Sequence, residues 1–222
     1  MRLLDKNIDT GKLVIEEEDG IRYLYIDGSL ESAMYMQEDK KDELVFGYLQ
    51  CLKYPMSFLP GDKDVYLIGS GGFSYPYTFL SREQGTITAA EMSKDIVEYA
   101  RQYFLLKDIE ENERFQLVQG DGFSWLEKCG KQFDVIVNDA YIGRHSVGVD
   151  MHTTEMIREH LSKKGIYAIN FVASLEGEAL RKEMEVLNSC FQYSTLMIIS
   201  DDVEADEEQN LLLLASNTDY GW

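Results

Sequence analysis

A glycine turn and an acidic residue follow two consecutive β-prone runs in the middle of the chain. The run 64–68 leads into Gly69-Ser70-Gly71-Gly72, and the run 86–90 ends at Glu91. A glycine turn after a buried parallel strand lets the backbone approach a ligand closely, and a carboxylate at the next strand tip can accept both ribose hydroxyls. We therefore expect the turn and Glu91, with its neighbour Met92, to bind the nucleoside part of a cofactor.

This pair of features fits two classes of cofactor. The turn reads G-x-G-x-x-S, one residue short of the dinucleotide fingerprint, and Glu91 lies 20 positions after Gly71. Both an NAD site and an S-adenosylmethionine site have a ribose carboxylate at about this distance. The alternative is a tight strand-to-helix turn and an ordinary surface acid. The pair alone does not identify the cofactor.

Two further acidic residues follow the next two predicted strands. Asp121 and Gly122 come after the strand 115–118, and Asp139 comes after the strand 133–137. Because the carboxyl ends of parallel strands form the ligand-binding edge of an open α/β sheet, both acids are expected there. Asp121 is suited to accept a hydrogen bond from an adenine amino group, with Gly122 leaving room for the ring. It is equally suited to cap the following helix.

Asp139 and Tyr141 are the candidate catalytic residues. Asp139 comes where a transferable group would lie, and a carboxylate beside a sulfonium or an amine stabilises that positive charge. Positioning of two reactants can supply much of the rate of group transfer. The alternative role for Asp139 is to cap the turn that follows its strand.

The elements that must position these residues form an α/β pattern. Strands alternate with helices after residue 60, which is typical of a parallel sheet with right-handed crossovers. The last two strands, 193–199 and 211–215, have no helix between them and should pair antiparallel. We therefore predict a Rossmann-like, S-adenosylmethionine-dependent methyltransferase fold, with a mostly parallel seven-stranded sheet that ends in an antiparallel hairpin.

The first part of the chain is predicted to add a small N-terminal β-sheet. β-prone runs alternate with turns over residues 11–36, and Asp27-Gly28 is a strong hairpin signal. An apolar stripe then predicts a helix over 38–53. We assign residues 1–55 to this β-hairpin and helix element and residues 56–222 to the Rossmann-like domain.

The composition excludes several classes of protein. The formal net charge of −19 disfavours nucleic acid and anionic membranes as partners and favours a cationic small molecule. The three cysteines form no CxxC pair, and the three histidines have no metal-ligand spacing, so neither a disulfide framework nor a metal site is indicated. No apolar stretch reaches the length of a membrane span, and a soluble protein of the reducing cytoplasm is expected.

The chain resembles the spermidine synthase family, and most closely its divergent members. The resemblance covers nearly the whole chain and lies in the order and spacing of five motifs: Gly69-Ser70-Gly71-Gly72-Phe73-Ser74-Tyr75-Pro76, Glu91, Gly120-Asp121-Gly122, Asp139-Ala140-Tyr141 and Met151-His152-Thr153-Thr154-Glu155. It implies a homodimer in which Glu91 holds the ribose, Asp121 holds the adenine, and Asp139 meets the reactive end of the nucleoside or the attacking amine. Polyamine-making members of the family use decarboxylated S-adenosylmethionine and transfer its aminopropyl group to a diamine.

The chain departs from the pattern of polyamine-making members at several positions. Ile142 stands where these members have a second aspartate, Gly72 where they have an acid in the glycine loop, and Glu31 where they have a glutamine. Phe46-Gly47-Tyr48 replaces their Tyr-His-Glu. Phe73 replaces a loop glycine, and its ring is expected to crowd the methionine end of the ligand.

These departures leave three functions open. The first is a methyltransferase that uses intact S-adenosylmethionine and a small acceptor, for which the loss of an acid at Ile142 matters less. The second is aminopropyl transfer to an amine, with Glu31, Tyr48 or Asp150 replacing the lost groups. The third is a non-catalytic protein that binds a nucleoside or a polyamine.

Overall fold

A computed structural model describes residues 1–142, 145–147, 150–200 and 202–222 of this protein. The first 35 residues form a four-stranded antiparallel meander: β1 (Arg2–Ile8), β2 (Gly11–Glu18), β3 (Ile21–Ile26) and β4 (Ser29–Tyr35). The predicted Asp27-Gly28 hairpin connects β3 and β4, and both of its residues have positive φ, as this tight turn requires. The sheet begins earlier than expected, since β1 precedes residue 11.

The predicted helix over 38–53 is wrong. The segment contains a 3₁₀ turn at Glu38–Lys40, then two short helices, α1 (Gly47–Cys51) and α2 (Lys53–Phe58). Pro55 does not stop the helical region, because it lies in the first turn of α2, where a missing N–H costs nothing.

The second sheet confirms the predicted topology. Its strands are β5 (Lys63–Ile68), β6 (Gly85–Glu91), β7 (Phe115–Gln119), β8 (Phe133–Asn138), β11 (Leu161–Ala173), β12 (Tyr193–Ile198) and β13 (Gln209–Ser216), in the spatial order β12-β13-β11-β8-β5-β6-β7. Strands β11, β8, β5, β6 and β7 are parallel, and β13 runs antiparallel to both β11 and β12. A short hairpin of β9 (Tyr141–Ile142) and β10 (His145–Ser146) follows β8.

Helices cover both faces of this sheet. They are α3 (Ser74–Arg82), α4 (Lys94–Tyr103), α5 (Leu106–Ile109), α6 (Gly122–Cys129), α7 (Met151–Glu159) and α8 (Glu178–Cys190). Ser93 caps α4, because its side chain accepts a hydrogen bond from the N–H of Ile96. No helix in the described part of the chain is long and apolar enough to cross a membrane.

The N-terminal sheet shares a hydrophobic core with one face of the large sheet. Leu13, Ile15 and Leu24 of the meander are fully buried in the same cluster as Val65 and Leu67 of β5. The two parts therefore bury one continuous apolar surface. The division at residue 55 stays a prediction.

Candidate active site

The glycine turn brings the ends of β5 and β8 into contact. Gly69 has a φ of +86°, and a Cβ built on it would lie 2.4 Å from the carbonyl oxygen of Asp139. The N–H of Asp139 donates to the carbonyl of Ile68 at 2.8 Å. Only a glycine allows the two backbones to approach this closely, and the turn thereby lies directly against Asp139.

Glu91 at the end of β6 is oriented by backbone N–H groups. One carboxylate oxygen accepts from Ser70 at 3.3 Å and from Gly71 at 3.1 Å, and the other accepts from Ser93 at 3.0 Å. The residue is only 8% exposed. Burial raises the pKa of this carboxyl, and the N–H groups partly oppose that rise because they favour the charged form. The glycine turn and Glu91 therefore form one unit at the sheet edge.

Asp121 and Gly122 follow β7, one strand beyond Glu91. The Asp121 carboxylate caps α6 by accepting from the N–H of Phe123 at 3.1 Å and the hydroxyl of Ser124 at 2.6 Å. The side chain is exposed. A Cβ on Gly122 would come within 2.9 Å of Ala90, so this glycine lets α6 pack against the strands. The capping role is present, and adenine binding stays a prediction for both residues.

Asp139 at the end of β8 receives a hydrogen bond on each carboxylate oxygen. The amide of Asn170 donates to Oδ1 at 2.7 Å, and the hydroxyl of Tyr48 donates to Oδ2 at 3.0 Å. Burial raises the pKa of Asp139 to about 7, although both hydrogen bonds lower it. This half-buried carboxyl therefore exchanges its proton near neutral pH.

Glu31 adds a third carboxyl to the same place. It lies on β4, where its backbone carbonyl would be 3.4 Å from a Cβ on Gly71. Burial and then the charge of Glu91 raise its pKa to about 7, and its own charge raises the pKa of Asp139. Within the described residues, no salt bridge involves Glu31, Glu91 or Asp139. Three carboxyls with no cationic partner form a site suited to a positively charged ligand.

The structure describes the remaining predicted site residues as follows. Met92, the residue after Glu91, is 60% exposed. The Tyr141 hydroxyl donates to the backbone carbonyl of Asn170 at 2.7 Å. Phe73 is fully buried, with its ring edge-on to Phe115, so the expected crowding of the ligand by this ring is wrong. The side chain of Ile142 and residues 143, 144, 148 and 149 lie outside the described residues.

Two asparagines near Asp139 did not figure in the sequence-based prediction. Asn170 on β11 contacts Asp139 directly, and the amide of Asn210 on β13 donates to the Asn170 oxygen at 2.8 Å. Asn170 interrupts an apolar strand in Ile169-Asn170-Phe171, and Asn210 lies at the start of β13, between Gln209 and an apolar run. A polar residue inside an otherwise apolar strand is the sequence signal that points to Asn170, and no such signal marks Asn210.

The sheet topology defines a Rossmann-like α/β fold, and acidic side chains follow three of its strands at one edge. Residues 50–196 match the spermine/spermidine synthase domain family. The chain belongs to this family, as the resemblance implied.

The proteins related in sequence include a methyltransferase homolog and an aminopropyltransferase. A stretch of 203 residues is 27% identical to the eEF1A lysine and N-terminal methyltransferase homolog of Drosophila melanogaster, covering 85% of this chain and 26% of that protein. A stretch of 142 residues is 30% identical to the polyamine aminopropyltransferase of Pectobacterium atrosepticum, covering 62% of this chain and 47% of that protein. The chain thus spans about a quarter of the length of the first relative and about half of the second.

Solved structures share the fold. A probable spermidine synthase from Corynebacterium glutamicum has a TM-score of 0.83 at 15% identity, with 98% of this chain and 81% of that chain covered. A spermidine synthase in complex with the transition state analogue AdoDATO has a TM-score of 0.76 at 16% identity, covering 98% and 74%. Human methyltransferase-like protein 13 in complex with SAH has a TM-score of 0.65 at 16% identity, covering 79% and 84%.

Proposed function

We propose that this protein transfers a methyl group from S-adenosylmethionine to a small acceptor. The observation that carries the proposal is the packing at Gly72. Its N–H donates to the Ser32 hydroxyl at 3.0 Å, and a Cβ there would lie 2.7 Å from that oxygen and 2.8 Å from the Phe104 ring. The acid that polyamine-making members carry at this position has no room here. The turn therefore lacks a carboxylate that could attract the amino end of decarboxylated S-adenosylmethionine.

The residues at the sheet edge fit S-adenosylmethionine as a cofactor. The glycines let the backbone of the turn lie directly against Asp139, Glu31 and Ser32, and the charges of Glu31, Glu91 and Asp139 suit a cation. In the proposal, Glu91 holds the ribose and Asp121 the adenine, while Met92, Gly122 and the turn line the same site. When bound, S-adenosylmethionine supplies a methyl group on a positively charged sulfur.

Asp139 and the hydroxyls around it would handle the acceptor. An ionised Asp139 stabilises positive charge at the reacting end and accepts the proton that an acceptor loses. Its pKa of about 7 suits proton exchange at neutral pH. Tyr48 and Asn170 hold the carboxylate in one orientation, which supports reaction through positioning. Tyr141 lies beside this group through its bond to Asn170.

Aminopropyl transfer to an amine is the alternative function. The aminopropyltransferase name of the Pectobacterium relative favours it, as does the set of three carboxyls that have no ion pair among the described residues and would attract a diamine. Glu31 would then have to replace the acid that is missing at Ile142. Whether the protein uses intact or decarboxylated S-adenosylmethionine decides between the two functions.

Asp139→Asn tests the proposed reaction. Turnover should fall about 100-fold because the carboxylate is lost, while S-adenosylmethionine affinity should change less than about tenfold. Isothermal titration with S-adenosylmethionine, its decarboxylated form and methylthioadenosine measures binding, and product analysis with amine acceptors measures transfer. Asp206→Asn, at an exposed loop position, serves as the control.

The outcomes separate the candidate functions. Release of methylthioadenosine from decarboxylated S-adenosylmethionine and putrescine would show that the protein catalyses aminopropyl transfer and would overturn the proposal of methyl transfer. No binding of S-adenosylmethionine or SAH would overturn the methyltransferase proposal. Ligand binding without any turnover by the wild type would indicate a non-catalytic binding protein.

We also propose that the protein is a cytoplasmic homodimer. The family resemblance supports the dimer, and three cysteines without a disulfide in the structure suit a reducing compartment. Light scattering coupled to gel filtration measures the mass in solution, and a monomer would contradict the dimer.

A further inference from the structure

We propose that Asn210 is a positioning residue that makes the Asn170 amide donate its hydrogen bond to Asp139. The inference rests on the proposed function, which gives Asp139 the role of meeting the reacting groups. Asn210 itself touches Asn170 and belongs to a strand on the other side of β11, so it acts through its neighbour.

The geometry is a line of hydrogen bonds across three strands. Asn210 lies opposite Val172 in the antiparallel pair of β13 and β11, and Asn170 lies opposite Leu212, so the two asparagines are diagonal neighbours. The Asn210 amide donates to the Asn170 oxygen at 2.8 Å, and the Asn170 amide donates to Asp139 at 2.7 Å. Asn170 is buried, so water cannot readily replace a lost partner.

The direction of these bonds follows from the chemistry of the amide group. An asparagine side chain has an oxygen that accepts and an NH₂ group that donates, and the two ends are almost equal in size. Asn170 can therefore turn over within the same space. A donor from Asn210 engages the oxygen end, and this leaves the NH₂ end facing Asp139. Asp139 favours the same orientation, because a turned-over amide would bring an oxygen against the carboxylate, where two acceptors repel each other; without the donor at 210, Asp139 alone favours it.

The orientation matters because Asp139 lies among other acidic groups. The charge of Glu31 on β4 raises the pKa of Asp139, and the charge of Glu91 on β6 raises the pKa of Glu31. The hydroxyls of Tyr48 on α1 and Tyr141 on β9 lie nearby. Burial and the charge of Glu31 favour the protonated carboxyl, whereas the bonds from Asn170 and Tyr48 favour the ionised one. Asn210 therefore favours the charged form of Asp139 without touching it.

Asn210→Asp is the decisive variant, because it replaces the donor by an acceptor of the same shape. The Asn170 amide should turn its NH₂ end toward residue 210 and its oxygen toward Asp139. The pKa of Asp139 should then rise by about one pH unit, which corresponds to about a tenfold change in the proton equilibrium. Asn210→Ala, which adds no charge, should shift the pKa in the same direction by less. Asn188→Asp on α8 is the control, since its oxygen can still accept from Ser194.

The primary measurement is the affinity for S-adenosylmethionine between pH 5.5 and 9. In Asn210→Asp, the affinity at pH 7 should fall about tenfold and recover by pH 9, while the control keeps the wild-type profile. An equal loss at every pH, or an unchanged profile with the variant folded, would overturn the inference. A merely structural role for Asn210 would lower stability without moving the profile.

A second measurement needs no ligand. Urea unfolding of Asn210→Asp, Asp139→Asn and the double variant forms a double-mutant cycle. The two residues do not touch, yet the double variant should be more stable than the sum of the single effects predicts, because the new amide at position 139 can donate to the turned-over Asn170. Additive effects would overturn the proposal that Asn210 orients the Asn170 amide. If the wild type binds neither S-adenosylmethionine nor SAH, the proposed function fails, and the double-mutant cycle still tests this orienting role.

Discussion

Glu31 is the acidic residue that distinguishes this site at the scale of single side chains. Its carboxyl comes from the N-terminal sheet and lies within electrostatic reach of both Glu91 and Asp139. With pKa values of about 7, Glu31 and Asp139 are partly protonated in the free protein at neutral pH. A cationic ligand favours their charged forms, so its binding should release protons and should strengthen as the pH rises from about 6 to 8.

Glu31→Gln should reduce the preference of the site for a charged donor. The substitution keeps the side-chain size and removes the charge. S-adenosylmethionine carries a positive sulfur that its product SAH lacks, so affinity for the first should fall about fivefold and affinity for the second should change less than about twofold. Isothermal titration at pH 8 measures both constants, with the exposed Glu111→Gln as the control. Equal losses for the two ligands would show that Glu31 does not respond to this charge.

Local sequence patterns predicted some of these residues and could not predict others. The acids at 91, 121 and 139 follow strands, so strand prediction alone assigns them to one sheet edge. Tyr48 and Asn170 contact Asp139 across 91 and 31 positions of sequence, and no local pattern specifies such partners. Phe73 adopts the left-handed conformation in which a glycine is usual, and this turns its ring into the core.

At the scale of elements, the contact between the ends of β5 and β8 sets the geometry of the site. Apolar runs bounded by turns predicted both strands and their parallel pairing. The ends of β5 and β8 can lie this close because residue 69 is a glycine. A side chain there would overlap the backbone of Asp139. The region 38–58 was harder to predict, because an apolar stripe does not distinguish one long helix from short helices joined by turns.

Gly69→Ala should destabilise the protein more than a glycine substitution in open space. Gly130 has a φ of +62° and no atom within 4 Å of a built Cβ, so Gly130→Ala should cost about 1 kcal/mol from backbone strain alone. Gly69→Ala adds a clash with the Asp139 carbonyl and should cost about 3 kcal/mol or more. Urea unfolding followed by circular dichroism measures both values. Similar costs would mean that β8 moves away from the turn easily.

At the scale of the whole molecule, buried acids and surface charge act in the same direction. Glu183 on α8 is 3% exposed, its Oε1 has no hydrogen-bond partner among the described residues, and burial raises its pKa to about 8. Glu31 and Asp139 also have raised pKa values. The folded chain therefore binds more protons than the unfolded chain above about pH 4. The free energy of unfolding should fall as the pH rises toward 8, and the net charge of −19 adds repulsion in the same range.

Glu183→Gln should remove part of this pH dependence. Wild type and variant should have similar stability near pH 5, where the carboxyl is protonated. At pH 9 the wild type must bury a charge, and the variant should be more stable by about 2 kcal/mol. Thermal and urea unfolding at both values measure the difference, with Glu185→Gln, exposed on the same helix, as the control. A difference that does not change with pH would contradict the buried charge.

The line of hydrogen bonds from Asn210 to Asp139 also has a consequence during synthesis. The ribosome makes the glycine turn and Glu91 long before it makes β13, which carries Asn210. A nascent chain can therefore place the glycine turn against Glu91 early, while Asp139, the proposed catalytic carboxylate, still lacks its final support. Chemical competence should arise late, when the antiparallel strand inserts beside β11.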